Sequence, residues 1–427
     1  MPERVKTGAG PEEAPTGYWE LVRGNANFRY LWFGQIASLL GDWFNLIASA
    51  ALLAQLTGSG FAIGGLFAVR MLAPFLISPL AGVIADRCNR KYILILSDLF
   101  RAVTVLGFLL VRDPQDVWLL YALTAVQLAL GGFFFPARNA ILPDIVSPRE
   151  LGTANAINAT TWSVMLAFGA ALGGFAAGTW GIYPAFIIDA LSFVVSAVIL
   201  LGVRYRKTPE TSAASGRGLF ETAVVQYLEG LGYLRNNRDI LVTALHKGVT
   251  ALVFSQGYQV VKVVVGRNLF PVGEAGGISL GLLFSAAGLG TGIGPIAARL
   301  WTGDRPDRLR LALVVGYFLC ALGLGISSLL INLETVLLGS LWAGIGGGII
   351  WVFSTQLLLQ SVPGQVRGRV FATEYAIFTL LSTFGVTAIG FALDSSLKVS
   401  EILAGMCVLT LVPGGLWRLW LWRRARR

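Results

Sequence analysis

Long apolar segments separated by short polar loops recur along the whole chain. A helix that crosses a membrane needs about 20 mostly apolar residues, and twelve segments reach that length. The pattern therefore predicts an all-α membrane protein with twelve transmembrane helices, numbered 1 to 12 in chain order. The predicted helices span residues 28–55, 60–85, 91–111, 117–137, 150–178, 182–203, 240–265, 277–299, 309–330, 334–361, 370–393 and 401–422.

The composition agrees with a chain that folds in lipid. Hydrophobic residues make up 55% of the sequence and charged residues only 13%, whereas soluble proteins carry about 25% charged residues. The three cysteines have neither disulfide nor zinc-site spacing. The sequence contains no Gly-x-x-x-x-Gly-Lys-Ser/Thr phosphate loop, no metal-ligand set and no nucleophile motif. We therefore expect a protein that is not an enzyme and binds no cofactor.

The basic residues indicate an orientation. Most of the 33 lysine and arginine residues fall in the termini and loops of one side, and only Arg112, Arg267 and Lys398 fall in the loops of the other side. Because cytoplasmic loops are enriched in lysine and arginine, we expect both termini in the cytoplasm and the protein in the plasma (inner) membrane. The same enrichment explains the net charge of +10 without a nucleic-acid partner.

Corresponding segments of the two halves resemble each other. Gly82 opens the sequence that ends helix 2, and Gly294 opens a similar sequence, 212 positions later, that ends helix 8. Gly169 in helix 5 is matched by Gly385 in helix 11 at a spacing of 216. Such repetition is common in transporters. It predicts two pseudo-symmetric six-helix bundles.

The bundles define the predicted domains. A cytoplasmic tail (1–27) precedes the first bundle (28–203), a linker (204–239) joins it to the second bundle (240–422), and a basic tail (423–427) follows. Apolar residues recur at helical spacing within the linker, which predicts an amphipathic helix at the inner leaflet. This helix is either a strut between the bundles or a passive interfacial helix.

The loop between helices 2 and 3 is short and charged. Residues 86–91 read Asp-Arg-Cys-Asn-Arg-Lys and follow a glycine four positions earlier. This pattern resembles the signature loop of the major facilitator superfamily of transporters. The resemblance implies a cytoplasmic gate in which the aspartate caps helix 11 and the basic residues pair with acids. The gate residues are Gly82, Asp86, Arg87, Arg90, Lys91, Asp98 and Glu374. Positive-inside anchoring alone would explain the basic residues but not Asp86.

Two charges lie at similar depth within consecutive helices. Asp42 in helix 1 lies about 20 Å below the outer end and Arg70 in helix 2 about 15 Å below it. Charges at this depth are costly and are seldom without a role. We expect them to form a pair or to line one watery cavity, with Asp42 as the translocation residue that binds a proton, a cationic group of the substrate, or both in turn. A fixed salt bridge that braces the two helices is the alternative.

Further polar residues lie within the predicted spans. Arg101 follows Asp98 by one helical turn, which favours a local pair, and Lys262 is expected to reach the outer interface. Asp189 and Lys247 are additional buried charges. A group of amides and the single histidine form either a cavity wall or inter-helix hydrogen bonds: Gln127, Asn155, Asn158, His246, Gln256 and Gln356.

Helix 5 carries small residues that allow close helix packing. They are Gly169, Gly173 and Gly174, and the segment resembles an exporter motif in which a proline stands where this chain has Ala170. Residues 32–35, 135–144 and 154–156 further resemble the branch with macrolide-efflux permeases and enterobactin exporters. The resemblance implies a monomeric secondary transporter that exports a hydrophobic or amphiphilic small molecule (drug-like compound or siderophore), coupled to protons, by alternating access. A lipid or lysophospholipid translocator and a non-transporting membrane sensor are the alternatives.

Overall fold

The computed structural model describes residues 17–205 and 219–426. Within these ranges, twelve helices are long and apolar enough to cross a membrane, and there is no β-strand. The predicted number of spans is thus confirmed. The helices are α1 (Ala26–Thr57), α2 (Gly60–Arg87), α3 (Arg90–Leu110), α4 (Val117–Ile145), α5 (Pro148–Thr179), α6 (Ile182–Leu201), α7 (Arg238–Leu269), α8 (Gly277–Thr302), α9 (Pro306–Ser328), α10 (Leu333–Ser361), α11 (Gly364–Leu393) and α12 (Val399–Ala425).

Local capping signals set where the first helices begin and end. The side chain of Asn25 accepts a hydrogen bond from the Phe28 amide at 3.0 Å, and so satisfies one of the free amides at the start of α1. Gly58 ends α1 in the left-handed conformation (φ 60°), which glycine adopts without strain. Ser59 then caps α2 by accepting from the Ala62 amide at 3.1 Å. This two-residue connection forces α2 to run antiparallel to α1.

The same helix pairs pack together in the two halves. In the first half α1 contacts α5, α2 contacts α4, and α3 contacts both α4 and α6; the second half repeats this with α7–α11, α8–α10, α9–α10 and α9–α12. Between the halves, α2 packs on α11 and α5 packs on α8. We call the end of the bundle that carries the first residues of α1 and the last residues of α12 the base, and the opposite end the top.

The two halves meet closely at the top. Gly174 of α5 faces Gly281 of α8, and Gly60 of α2 faces Gly390 of α11, so closely that a Cβ atom on Gly174 would overlap the partner backbone. One apolar core also runs through both halves, because Val386 of α11 and Phe284 of α8 belong to the same buried cluster as residues of α1 and α6. Small residues at helix contacts let backbones approach in a membrane, where dispersion forces drive packing.

A separate helix, Leu219–Asn236, lies in the predicted linker. It packs against the base of α11, where Gly230 approaches the backbone of Arg369 and Glu229 pairs with the Arg369 side chain at 2.8 Å. The predicted linker helix is therefore present. Residues 206–218 of the linker and 1–16 of the tail lie outside the described part of the chain.

Candidate functional site

Arg101 joins three helices of the first half. Its side chain is only 2% exposed, and its Nη2 atom donates to Asp42 of α1. Its Nη1 atom lies 3.3 Å from Asp98 Oδ1 on α3 and 3.0 Å from Ser38 Oγ on α1. The guanidinium carbon lies 4.0 Å from the ring centre of Phe193 on α6. One buried arginine thus holds two carboxylates from different helices.

Serine hydroxyl groups complete the surroundings of Asp98. Ser196 Oγ of α6 donates to Asp98 Oδ2 at 2.5 Å, and Ser38 Oγ donates to Asp98 Oδ1 at 3.2 Å. The Asp98 side chain is fully buried. Because a buried ion pair is tolerated only when its remaining polar atoms are also bonded, these hydroxyl groups are what allow Asp98 to lie in the interior.

Asp189 and Arg70 place further charge beside this network. Both carboxyl oxygens of Asp189 and the Nη1 atom of Arg70 are buried without a hydrogen-bond partner among the described residues. Arg70 lies within electrostatic range of Asp42 and Asp189. A Cβ atom at position 41 would overlap Asp189 Oδ1, so Gly41 leaves the space that this carboxyl group occupies.

The cluster has more acids than bases. We define it as Asp42, Asp98, Asp189, Arg70 and Arg101, that is, three carboxyl groups and two guanidinium groups. Full ionisation leaves one uncompensated negative charge in a region where unpaired charges are costly. A single bound proton makes the cluster neutral. The arrangement can therefore take up and release one proton.

Asp42 is ion-paired with Arg101 rather than with Arg70. Helical spacing predicted only the Arg101–Asp98 pair, since it reveals pairs within a helix but not where α1 crosses α3. The Asp42 side chain is 21% exposed, whereas that of Asp98 is fully buried. Asp42 is thus the more accessible of these two acids to water or to a ligand.

The loop between α2 and α3 has partners other than the expected ones. Arg90 pairs with Asp144 at 2.5 Å and donates to the Ala140 carbonyl at 3.1 Å, and Lys91 donates to the Leu201 carbonyl at 2.8 Å. These contacts tie the loop to α4 and α6 of its own half. The Arg87 side chain is exposed.

In this structure Asp98 and Glu374 are paired with other residues, so the expected pairing of this loop with them stays a prediction. Asp98 lies eight residues after the start of α3, about 12 Å along the helix, and it is bonded to Arg101. Glu374 pairs with Lys247 of α7 at 3.1 Å, within its own half. The side chain of Asp86 and the surroundings of Gly82 lie outside the described part of the structure.

A cavity in the second half carries two lysines. It lies between α7, α8, α10 and α11 and offers about 180 Å³ of free space. Lys247 and Lys262 of α7 line it, together with the amides Gln256 and Gln259. Its apolar wall comes from Phe254, Tyr258, Ile350, Trp351 and Phe378.

The two lysines differ in their partners. Lys247 is bonded to Glu374. Lys262 is 2% exposed and has no hydrogen bond or ion pair with any described residue; its Nζ atom lies 4.0 Å from the ring centre of Phe284 and 5.4 Å from that of Tyr258. The Phe284 ring in turn lies 6.5 Å from the ring of Trp43. This aromatic pair connects Lys262 with the residue next to Asp42 across the two halves.

The predicted wall residues on α4, α5 and α7 lie in different surroundings. Asn155 and Asn158 line a second cavity in the first half, together with Gln35 of α1. Gln256 lines the cavity of the second half. Gln127 is buried, and neither of its amide atoms has a partner among the described residues.

His246 and Gln356 lie away from both cavities. His246 Nδ1 lies 2.9 Å from Tyr317 Oη, and its ring packs edge-on against Trp417 at 4.5 Å. Gln356 donates to Asp304 Oδ1 at 2.6 Å, at the base of the second half. His246 therefore has the partners of a structural histidine, and Gln356 those of a loop contact.

The glycines of α5 hold α1 and α8. Gly169 lies against the indole of Trp43, Gly173 lies against the backbone carbonyl of Trp43, and Gly174 faces Gly281. A side chain at any of these three positions would overlap its neighbour. The motif thus serves contacts of α5 both within the first half and between the halves.

The sequence profile described as Major Facilitator Superfamily matches residues 31–265 of the chain. The chain is 28% identical over 387 residues to the uncharacterized MFS-type transporter YfiS of Bacillus subtilis (strain 168), and the match covers 87% of each chain. It is 24% identical over 359 residues to the putative bacilysin exporter BacE of Bacillus amyloliquefaciens, covering 84% of this chain and 87% of that one.

A solved structure has the same fold. The crystal structure of an auto-inhibited POT family peptide transporter superposes with a TM-score of 0.68 at 13% sequence identity, covering 92% of this chain and 97% of the other. At this identity the likeness concerns the arrangement of helices alone. It agrees with the duplicated packing of α1–α6 and α7–α12.

Proposed function

The chain belongs to the major facilitator superfamily, and from that premise we propose that it exports a hydrophobic or amphiphilic small molecule through the plasma membrane. It is an integral, multi-pass membrane transporter and not an enzyme. The direction is supported by the relative named as a bacilysin exporter, which aligns with most of both chains. We propose further that both termini face the cytoplasm, so that the base is the inner side.

Transport would proceed by alternating access. Close contacts between glycines of the two halves lie at the top, whereas the polar cavity that contains Asn155 and Asn158 lies toward the base on α5. This combination supports the proposal of a state that is open to the inside. In the opposite state the α5–α8 and α2–α11 contacts would separate at the top, and the halves would close at the base.

The coupling step would be protonation of Asp42, and the observation that carries this proposal is its accessibility: Asp42 belongs to the Arg101 network, yet its side chain is 21% exposed, whereas that of Asp98 is fully buried. When a proton binds Asp42, Arg101 loses one of its two carboxylate partners. Arg101 and Arg70 then neutralise Asp98 and Asp189, and the cluster has no net charge. Loss of the Asp42–Arg101 bond would leave the hydrogen bonds of Ser38 to Arg101 and Asp98 as the remaining contacts of α1 with this network, so that proton binding would loosen α1 from α3.

Uptake by everted vesicles tests this function. A panel of labelled amphiphilic compounds is offered with and without a pH gradient that is acidic inside the vesicles. We expect gradient-driven uptake of at least one compound, and Asp42→Asn reduces that uptake by more than tenfold. The control Asp307→Asn changes a carboxyl group that is 95% exposed and keeps the uptake.

Two results would contradict the proposal. Full gradient-driven uptake in correctly folded Asp42→Asn would remove Asp42 as the coupling residue. Transport of lysophospholipids alone would favour a lipid translocator, and no transport of any compound would favour a sensor.

A further inference from the structure

We propose that the cavity of the second half binds the carboxylate group of an anionic amphiphile, and that Lys262 is the residue that receives it. The inference rests on the proposed function, because it assigns the substrate class of the same transporter. Neither the family nor any relative described above identifies Lys262 or an anionic ligand.

Among the described residues, Lys262 has no carboxylate partner. A buried ammonium group is costly unless an acid or several acceptors surround it, and the aromatic faces of Phe284 and Tyr258 recover only part of that cost. The nearest comparison is Lys247, which lines the same cavity and has Glu374 as its partner. Since Lys262 has no such partner among the described residues, an anion entering the cavity would complete its surroundings.

Polar and apolar groups are arranged for an amphiphile. Gln259 lies three residues before Lys262, hence on the same face of α7, and its Oε1 atom is buried without a hydrogen-bond partner among the described residues. Its amide nitrogen can donate to the second oxygen of a carboxylate. Phe254, Trp351 and Phe378 supply an apolar wall for the body of the ligand.

The charge cluster of the first half disfavours the same ligand. Its cluster contains three carboxyl groups and two guanidinium groups, so an added anion would increase an existing excess of negative charge. The ammonium group of Lys262 lies on the other side of the Trp43–Phe284 aromatic contact. The Lys262 site is therefore more favourable for an anionic group than the charge cluster of the first half.

Calorimetric binding to the detergent-solubilised full chain provides the test. The probes are 2-naphthoate and 2-naphthamide, which share an apolar body and differ in charge. Because a charge-assisted hydrogen bond is about twice as strong as a neutral one, we expect wild type to bind 2-naphthoate at least about tenfold more tightly than 2-naphthamide. Lys262→Met removes this preference. Lys398→Met, which changes an exposed lysine at the top, retains it.

Several outcomes would overturn the inference. If wild type binds the two probes equally, the inference is overturned without any variant. If folded Lys262→Met or Lys262→Gln still binds 2-naphthoate more tightly than 2-naphthamide, the inference is overturned as well. The vesicle experiment separates this failure from failure of the proposed function. If the protein exports compounds with the gradient but shows no preference for the carboxylate, only the inference about Lys262 is contradicted. If it shows a preference that depends on Lys262 but no export, only the proposed export function is contradicted.

Discussion

The two halves of this transporter share one fold but bury their charges in different ways. In the first half Arg101 binds Asp42 and Asp98, and the surrounding serines complete a connected network. In the second half Lys262 lies in a cavity against aromatic rings and has no acidic partner among the described residues. The comparison suggests a division of roles. A self-contained network can change its proton content, whereas a lone cation requires a ligand.

The largest expected difference concerns stability. Arg101→Met leaves Asp42 and Asp98 without their cation, and loss of one partner of a buried pair costs about 3–5 kcal/mol. Lys262→Met removes a charge that has no partner and replaces it with an apolar side chain of similar length, so stability should stay equal or increase. Thermal unfolding in detergent measures both variants. Equal destabilisation by the two substitutions would contradict the distinction between the halves.

A smaller effect is expected at the contact between the halves. Gly174→Val places a side chain where the backbone of Gly281 lies, and so favours the state in which the top is open. Distances between spin labels at the top ends of α5 and α8 should lengthen. Gly405→Val is the matched control, because a Cβ atom there meets nothing within 4 Å. If the spin-label distances lengthen equally in both variants, the contact between Gly174 and Gly281 is not the cause of the lengthening.

The smallest effect is expected at Asp394, which follows α11. Its carboxylate accepts hydrogen bonds from Ser59 Oγ (2.6 Å) and from the amides of Gly60 (2.5 Å) and Phe61 (3.0 Å), at the start of α2 in the other half. Asp394→Asn should weaken closure of the top by about 1 kcal/mol, because it removes a charged group at a helix N-terminus.

The same contact predicts a pH response. Burial alone would raise the pKa of Asp394, but the hydrogen bonds from Ser59, Phe61 and Gly60 outweigh it and lower the pKa. The stabilisation is therefore present above the ordinary aspartate pKa of about 4 and is lost only as the pH falls through the lower value. Asp394 should therefore cause no change in the spin-label distances at the top between about pH 5 and 8. A transition in that range that disappears in Asp394→Asn would contradict the assignment.

The sequence predicted the helices well because the thickness of the lipid layer sets their length. The twelve spans and the superfamily were expected and are confirmed, and a helix lies within the predicted linker. Capping residues such as Asn25 and Ser59 also mark the observed helix starts.

Contacts between helices were harder to predict. The interaction of Asp42 with Arg101 depends on where α1 crosses α3, and Asp98 lies about 12 Å along α3 from the loop with which it was expected to pair. Lys262 was expected to reach the outer interface, but it is 2% exposed and packs on Phe284 of α8. Periodicity reports which face of a helix a residue occupies, and not which helix covers that face.

The most direct test of the account compares two transport modes in proteoliposomes that contain wild type or Asp42→Asn. One mode is accumulation of a transported compound driven by a pH gradient, and the other is exchange of the labelled for the unlabelled compound without a gradient. Exchange requires only that the halves move around the bound compound, whereas accumulation also requires the proton. We predict that Asp42→Asn keeps exchange and loses accumulation. Accumulation equal to that of wild type would contradict the claim that the charge cluster of the first half couples protons to transport.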